Sequence, residues 1–388
     1  MLCLSVYAPR GLARKLLGGT RALPALLRGK WCAVALFALY LVAYEVFALW
    51  DSPWWTAWIA VGYFAAAFLI DGLYGGASFC RSLCPIGNFQ FAAASVSPLE
   101  FAPRSADVCE SCTTQDCLRG GPRGPGCEFD LYQPAKVGNL DCTFCFDCAR
   151  ACPHENVALR LRLPGSELVS DAQRAGVGRL STRRDLTAFA LVFCFGAFAN
   201  AAAMLAPVAA FEQALAARLG IESEWLLTLA LLCFALVGCP ALLCALLSRA
   251  GFVLASLSFA TEERRRIARR FVFALIPLGF AMWLAHFVFH LGTAGGTLAH
   301  VATRLKGFDL RSASLLPPDA LLPFEITALG VGLWITLFVA WRVALDVAKQ
   351  WRPALGLFTP WALLASALWL AGLWILFQPM EMRGMVMG

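Results

Sequence analysis

Eight cysteines between Cys109 and Cys152 are the residues of this sequence best spaced to do chemistry. They read Cys109-x2-Cys112-x4-Cys117-x9-Cys127, then Cys142-x2-Cys145-x2-Cys148-x3-Cys152-Pro153. The second run has the bacterial iron–sulfur spacing, in which three close thiolates hold one cubane and the cysteine before proline crosses to the other. That crossing assigns Cys109, Cys112, Cys117 and Cys152 to one 4Fe–4S cluster, with Cys142, Cys145, Cys148 and Cys127 for the second. Cys127 departs from the pattern, because Glu128 rather than proline follows it. Structural zinc favours two separated cysteine pairs, and a disulfide framework needs an oxidising compartment. The triplet at two-residue gaps followed by Cys-Pro fits a cubane better than either.

A second group of reactive side chains lies in or beside apolar runs. Cys80-x3-Cys84-Pro85 follows the second apolar run, and a helix there would put both thiols on one face; redox work and plain packing fit that spacing equally. Cys239-Pro240 and Cys244 stand near one end of a later run, and the four thiols together could hold a further metal centre. Cys3, Cys32, Cys194 and Cys233 read as small buried hydrophobes. Of four histidines, His286 and His290 lie one helical turn apart in a single apolar run. Ionisable groups at such depth are bonded or liganded, so a haem or metal site stands beside simple hydrogen bonding to a neighbouring helix. His300 could complete such a site, and His154 would pack beside a cluster.

The elements that must carry these residues are mostly membrane helices. The 388 residues are 60% hydrophobic and only 15% charged, with mean hydropathy +0.67, against roughly 25% charged for an average soluble domain. The net charge of +7 sits beside apolar runs, not in an aromatic-interleaved basic face, which argues against nucleic acid. Residues 1–30 form a basic tail without an acid. Residues 31–74 supply two spans, Trp31–Trp50 and Trp54–Tyr74, joined at Asp51-Ser52-Pro53, where Trp50, Trp54, Trp55 and Trp58 form an interfacial belt. Glu45 inside the first span is either functional or partner-bonded. Residues 75–184, rich in glycine, proline and charge, form a soluble insert with a short strand at Val157–Leu163. Residues 185–388 supply five more spans, near Leu186–Ala206, Trp225–Leu247, Phe271–Leu291, Phe324–Ala344 and Thr359–Phe377.

The basic residues set the orientation. The loop Ser248–Arg270 carries six arginines against Glu262 and Glu263, and Arg342, Lys349 and Arg352 follow the sixth span, whereas Pro207–Glu224 has one arginine and three glutamates. By the lysine/arginine bias the N-terminus, the cysteine-rich insert and both basic loops are cytoplasmic and the C-terminus lies outside. Arg304, Lys306 and Arg311 in the loop Gly292–Pro323 are a mild exception. The fold class expected is a mostly α membrane protein: a seven-helix transmembrane bundle with an inserted α+β two-cluster ferredoxin-like domain.

Cys80-x3-Cys84-Pro85 joined to a double cluster motif between spans resembles the membrane-bound polyferredoxins of the NapH, NosR and CcoG type. The stretch Cys112-Thr-Thr-Gln-Asp-Cys117-Leu-Arg-Gly120, with Gly126-Cys127 and Cys152-Pro-His-Glu-Asn156-Val-Ala-Leu159, is closest to a multi-span subgroup, sometimes called FesM, found beside c-type cytochromes. The likeness covers residues 31–165; the five later spans match in general architecture only, and no flavin-attachment domain of the NosR kind is present. The resemblance implies a bacterial inner-membrane protein that moves electrons between the cytoplasmic face or quinone pool and a periplasmic or membrane cytochrome c or other redox protein. It carries the eight cysteines over as iron ligands and Cys80 and Cys84 as redox-relevant thiols. Crossing ~30 Å of hydrocarbon further calls for a haem, an additional metal or a quinone among spans four to six. The CcoG likeness offers a second expectation, a metal or thiol reductase serving the maturation of a respiratory enzyme. A redox sensor is a third, and no output domain for it is visible.

Overall fold

The computed structural model describes residues 4–19, 21–221, 223–297, 301, 303 and 315–378. It is mostly helical with one two-stranded sheet. Six helices are long and apolar enough to cross a membrane: Pro53–Leu73, Arg184–Ala203, Trp225–Ala255, Thr261–Ala294, Pro318–Ala348 and Trp351–Leu376. This is a multi-pass membrane protein. Each of the last five expected spans matches one of these helices, with Leu186–Ala206 and Thr359–Phe377 running three residues and one residue past the helix end, and the second nearly coincides with Pro53–Leu73. His300, Arg304, Lys306 and Arg311 lie outside the described residues, as does the chain after Gln378.

In chain order the helices are α1 (Leu4–Leu17), α2 (Trp31–Val46), α3 (Pro53–Leu73), α4 (Pro85–Ala94), the short α5 (Ala106–Glu110), α6 (Asp116–Arg119) and α7 (Asp147–Ala151), then α8 (Arg184–Ala203), α9 (Ala206–Leu219), α10 (Glu224–Cys233), α11 (Cys239–Ala255), α12 (Thr261–Ala274), α13 (Ile276–Ala294), α14 (Pro318–Ala348) and α15 (Trp351–Leu376). The expected first span is shorter than foreseen. α2 has 16 residues, about 24 Å at 1.5 Å per residue, and ends where Ala48 turns left-handed at φ 45°. Its buried positions Val34, Phe37, Leu41 and Glu45 fall at three- and four-residue steps, one stripe facing α8. Glu45 is partner-bonded, its Oε1 accepting from Asn200 Nδ2 at 3.0 Å. α3 starts where Ser52 Oγ accepts from the Trp55 N–H, with Pro53 in the first turn, a position that needs no N–H.

Two helices sit at the centre. In the apolar windows of Arg184–Ala203 and Thr261–Ala294, 72% and 78% of residues are buried, against 17% for Pro53–Leu73. Gly279 lets α13 approach Cys194 of α8, and Gly332 lets α14 approach Ala281. Pro240 would clash with the carbonyl four residues earlier; the π turn Phe234–Gly238 between α10 and α11 takes up that misfit. The basic tail is helical, α1, and its Ala13 is fully buried where Gly72 of α3 leaves room.

The insert is not separate from the bundle at its start. α4 buries Asn88, Phe91 and Ala92 against α2, α8 and α13, so residues 85–94 are part of the helical core. The cysteine-rich stretch begins after it, closed at its base by β1 (Leu99–Pro103) and β2 (Val157–Leu161), antiparallel with Leu99 opposite Leu161 and Phe101 opposite Leu159.

Buried ions fasten this stretch to the bundle. Lys30, at the start of α2, gives its Nζ–H to Asp141 Oδ1 at 2.8 Å and its backbone N–H to Asp185 Oδ2 at 2.8 Å. The same ammonium lies 4.7 Å over the Phe91 ring. Burial lowers the Lys30 pKa, and Asp141 opposes that. Glu167 accepts from the Asn139 and Leu140 N–H groups and from Arg162, while Arg269 and Arg270 of α12 donate to the Ser181 and Val169 carbonyls. Removing one partner of a buried pair strands the other. Lys30→Met is therefore expected to cost about 3–5 kcal/mol in detergent-based thermal unfolding, and Lys30→Met with Asp141→Leu distinctly less. Equal losses in the single and double variants would show that the pair is not what anchors the stretch.

Candidate functional site

The thiols gather into two fours. A cavity is lined by Cys109, Cys112, Cys117 and Cys152 together with Tyr132, His154 and Asn156. Burial pushes the Cys117 thiol up, the Gln133 backbone works against that, and the charges of Cys152, Cys109 and Cys112 add to the rise. In the other four, burial and then the charges of Cys142, Cys127 and Cys145 push Cys148 up to about 12. Cys127 is likewise raised by burial first and, against its Leu131 and Phe129 hydrogen bonds, by Cys142. These neighbourhoods are the two sets that the crossing rule assigns, with Cys127 and Cys152 exchanged between the runs. The departure of Cys127 from the Cys-Pro pattern does not displace it: its N–H donates to the Cys117 carbonyl at 3.2 Å.

Backbone conformation prepares both groups for an electron-rich occupant. Phe144 and Phe146, on either side of Cys145, take φ 56° and 66°, and Gln115, Asp130 and Asp141 are also left-handed. Non-glycine residues enter this region rarely, and alternation of right- and left-handed residues turns successive N–H groups inward, as in iron–sulfur nests. Asn156, 5% exposed, organises the first set. Its N–H reaches Cys152 Sγ at 3.4 Å and its Nδ2 reaches Cys109 Sγ at 3.3 Å and the Ser105 carbonyl at 2.7 Å. Donors to sulfur tune a cluster's potential. The spacing alone did not reveal this role for Asn156; an amide four residues after Cys152, beside the strand, was the available signal.

The donor set fits cubanes better than a lone ion. Among the described residues no three His, Cys, Asp or Glu side chains converge closely enough to hold a single metal ion. Thiolates around a cubane bind different irons and stand further apart than ligands of one ion, so four thiols ringing a cavity match the former. His154 is exposed at the rim of that cavity.

The remaining thiols divide. Cys80 lies in a π turn, Phe79–Leu83, and Cys84 caps α4, so the expected common helical face is replaced by a turn running into a helix start. Both pack with Tyr63 and Ala67 of α3. Cys84, 1% exposed, accepts from the Gly87 N–H at 3.0 Å and has Tyr63 Oη 3.1 Å away. Cys244 neighbours Cys194 of α8 and Cys239 on its own helix, so the four thiols are split between two packings.

His286 and His290 meet edge to face, ring centroids 4.5 Å apart. His286 is 4% exposed, and His286 Nδ1 and His290 Nε2 are both closed off from water without a hydrogen-bond partner among the described residues. Glu325 Oε1 on α14 is in the same state; its place in the run Phe324–Ala344 was the sequence signal for it. Rings connect this region to α4. Phe89 lies 5.6 Å from Trp283 and 5.9 Å from Phe287, and Trp283 stacks on Phe287 at 5.3 Å. The Trp283 indole is fixed by the Phe193 carbonyl at 2.8 Å.

No family model, curated protein or solved structure matches the chain. Gly126 gives the geometry a direct test. A Cβ there would run into the Leu118 carbonyl and the Gly120 nitrogen, both backbone atoms that cannot swing aside. Gly126→Ala is expected to push Cys127 out of place, read as faster proteolysis of residues 104–156. An unchanged cleavage rate would show that this close approach does not position Cys127.

Proposed function

We propose that this is an integral-membrane iron–sulfur electron-transfer protein of the polyferredoxin type: a seven-helix bundle, counting α2, with an inserted two-cluster ferredoxin-like domain on the cytoplasmic side of a bacterial inner membrane. It exchanges electrons between the cytoplasmic face or quinone pool and a periplasmic redox partner such as a c-type cytochrome. The observation that supports this best is the sorting of eight cysteines into two fours with Cys127 and Cys152 exchanged, because packing thiols have no reason to cross over and a triplet at two-residue gaps is unlike the separated pairs of zinc sites.

Cys109, Cys112, Cys117 and Cys152 would hold one 4Fe–4S cubane and Cys127, Cys142, Cys145 and Cys148 the other. A cubane supplies reversible one-electron chemistry. The chain's residues do the rest. Asn156 points donors at two sulfurs and the left-handed turns at Phe144 and Phe146 line up N–H groups. Phe101 and Val157 keep water from the buried thiols Cys148 and Cys152. Close thiols raised by burial and by one another need a cationic core to ionise together at neutral pH. The ring contacts from Phe89 to Phe287 give the bundle a polarisable interior between the insert and His286.

A second reading is supported by Cys84. A thiol at a helix start that accepts a backbone N–H and faces a hydroxyl suits a metal or thiol reductase acting in maturation of a respiratory enzyme, with Cys80 as its companion.

Anaerobic purification tests the first reading. Iron and sulfide matching two cubanes per chain, and a paramagnetic-resonance spectrum after reduction, are expected. Cys112→Ser and Cys148→Ser should each remove a different component of that spectrum. Zinc in place of iron, or one spectral component lost in both variants, would overturn it. Cys80→Ser with Cys84→Ser separates the second: partner maturation lost at unchanged iron content favours the reductase, whereas lost electron flux with normal maturation favours the relay.

A further inference from the structure

We propose that His286 and His290 form a binding site for a lipid-soluble redox carrier of the quinone class, which reaches it from the bilayer beside Phe287. This rests on the electron-transfer reading above and deepens it by naming the occupant and its contacts. The two imidazole nitrogens without partners among the described residues are the starting point. A buried polar atom left unbonded costs about 1–3 kcal/mol, and two such atoms one turn apart on α13 mark a place where something with hydrogen-bonding oxygens belongs.

The geometry selects among occupants. Two imidazoles on one helix, edge to face at 4.5 Å, cannot ligate one haem from its opposite faces. A single metal ion lacks a third ligand among the described residues. A quinone headgroup fits the chemistry. Its dione form offers acceptor oxygens and its diol form offers hydroxyls, and a neutral imidazole presents one donor and one acceptor nitrogen whose assignment can exchange. The same two side chains can therefore hold both forms.

Access and coupling point the same way. Phe287 is 50% exposed and Leu291 61% exposed on an apolar helix, so the flank of α13 beside the two histidines faces lipid, where such a carrier dissolves. Phe287 backs onto Trp283 and touches Phe89 of α4, the helix that begins at Cys84, which gives the bound ring an aromatic platform leading back to the insert. Depth agrees as well. Leu321 of α14 packs where Gly292 leaves room, so Glu325, one turn further along α14, stands near the level of the two histidines with its own unbonded oxygen.

The test uses the full chain in detergent, titrated with a decyl-substituted benzoquinone under anaerobic conditions and followed by equilibrium dialysis. Saturable, stoichiometric binding is expected in the wild type. His286→Leu and His290→Leu should each weaken it by about fivefold or more, the loss of one hydrogen bond. His290→Gln, which keeps a nitrogen donor, should retain most of the affinity. Unchanged thermal midpoints certify the variants, and half-buried His290 keeps the test open if His286→Leu does not fold. No saturable binding to the wild type, wild-type affinity in both leucine variants, or a Soret band or stoichiometric metal that vanishes with the histidines would overturn the site. Iron and sulfide measured on the same samples report separately on the clusters: quinone binding without iron refutes the proposed function and leaves this site standing.

Discussion

One buried ion pair carries the join between the two halves of this molecule. Lys30 sits at the foot of the first apolar helix, 5% exposed, and taking its ammonium out of water costs several kcal/mol unless the geometry repays it. Here Asp141 accepts from the ammonium and opposes that cost, although burial still lowers the Lys30 pKa; Asp185 fixes the backbone N–H, and Arg183 holds Asp185 through two hydrogen bonds at 2.9 and 2.8 Å. Asp141 is also the residue before Cys142. A change in the position of Lys30 is thereby a change in the position of the second set of thiols. Glu167 repeats the device one residue earlier. Burial pushes its carboxyl up, the Arg162 guanidinium opposes that, and the Asn139 and Leu140 N–H groups are held by its oxygens.

Above that join, burial is the main cost at the thiols. It pushes Cys117, Cys127, Cys145 and Cys148 up, with neighbouring thiols adding to the rise at Cys117, Cys127 and Cys148, while hydrogen bonds from the Gln115 backbone and Thr114 lower Cys112. The Lys136 charge opposes the rise at Cys148. The backbone contributes partial positive charge as well, through left-handed residues that few sequences would place there without a reason. Gln115, Phe144 and Phe146 cost conformational energy locally, and the packing of Phe101 against Phe144 and Phe146 at 5.7 and 4.8 Å holds the latter two in place.

Much of this could be read from residue order because it depends on short-range spacing. Cys-x2-Cys runs, apolar stretches near twenty residues and the alternation after Pro153 all specify structure within a few residues of themselves. What could not be read depends on meetings across the chain. Nothing in Pro85–Ala94 separates a helix in the core from one in the insert until α2, α8 and α13 are known to close around Phe91. The early stop of α2 comes from a left-handed Ala48, although the apolar run continues to Trp50. Cys80 and Cys84 look like helix neighbours by spacing; Pro85 and Gly87, packed on the Cys80 carbonyl, make the segment a turn. His286 and His290 were conspicuous, whereas the ring contacts behind them join residues nearly two hundred positions apart.

The antiparallel pairing of Leu99–Pro103 with Val157–Leu161 has an architectural consequence. The chain leaves the helices and comes back at one narrow neck, so some fifty intervening residues form a closed loop whose ends never separate while the two strands stay zipped. Closing a loop of that length costs about 3–4 kcal/mol of chain entropy, and the neck meets that cost without asking the thiols to do so. The neck is one of several attachments. Within the loop Glu128 pairs with Arg14 of α1, Asp130 with Arg81 and Asp141 with Lys30, and Leu140 packs in the core of the bundle, so the helices sense changes in the lobe through these residues as well as through the strands.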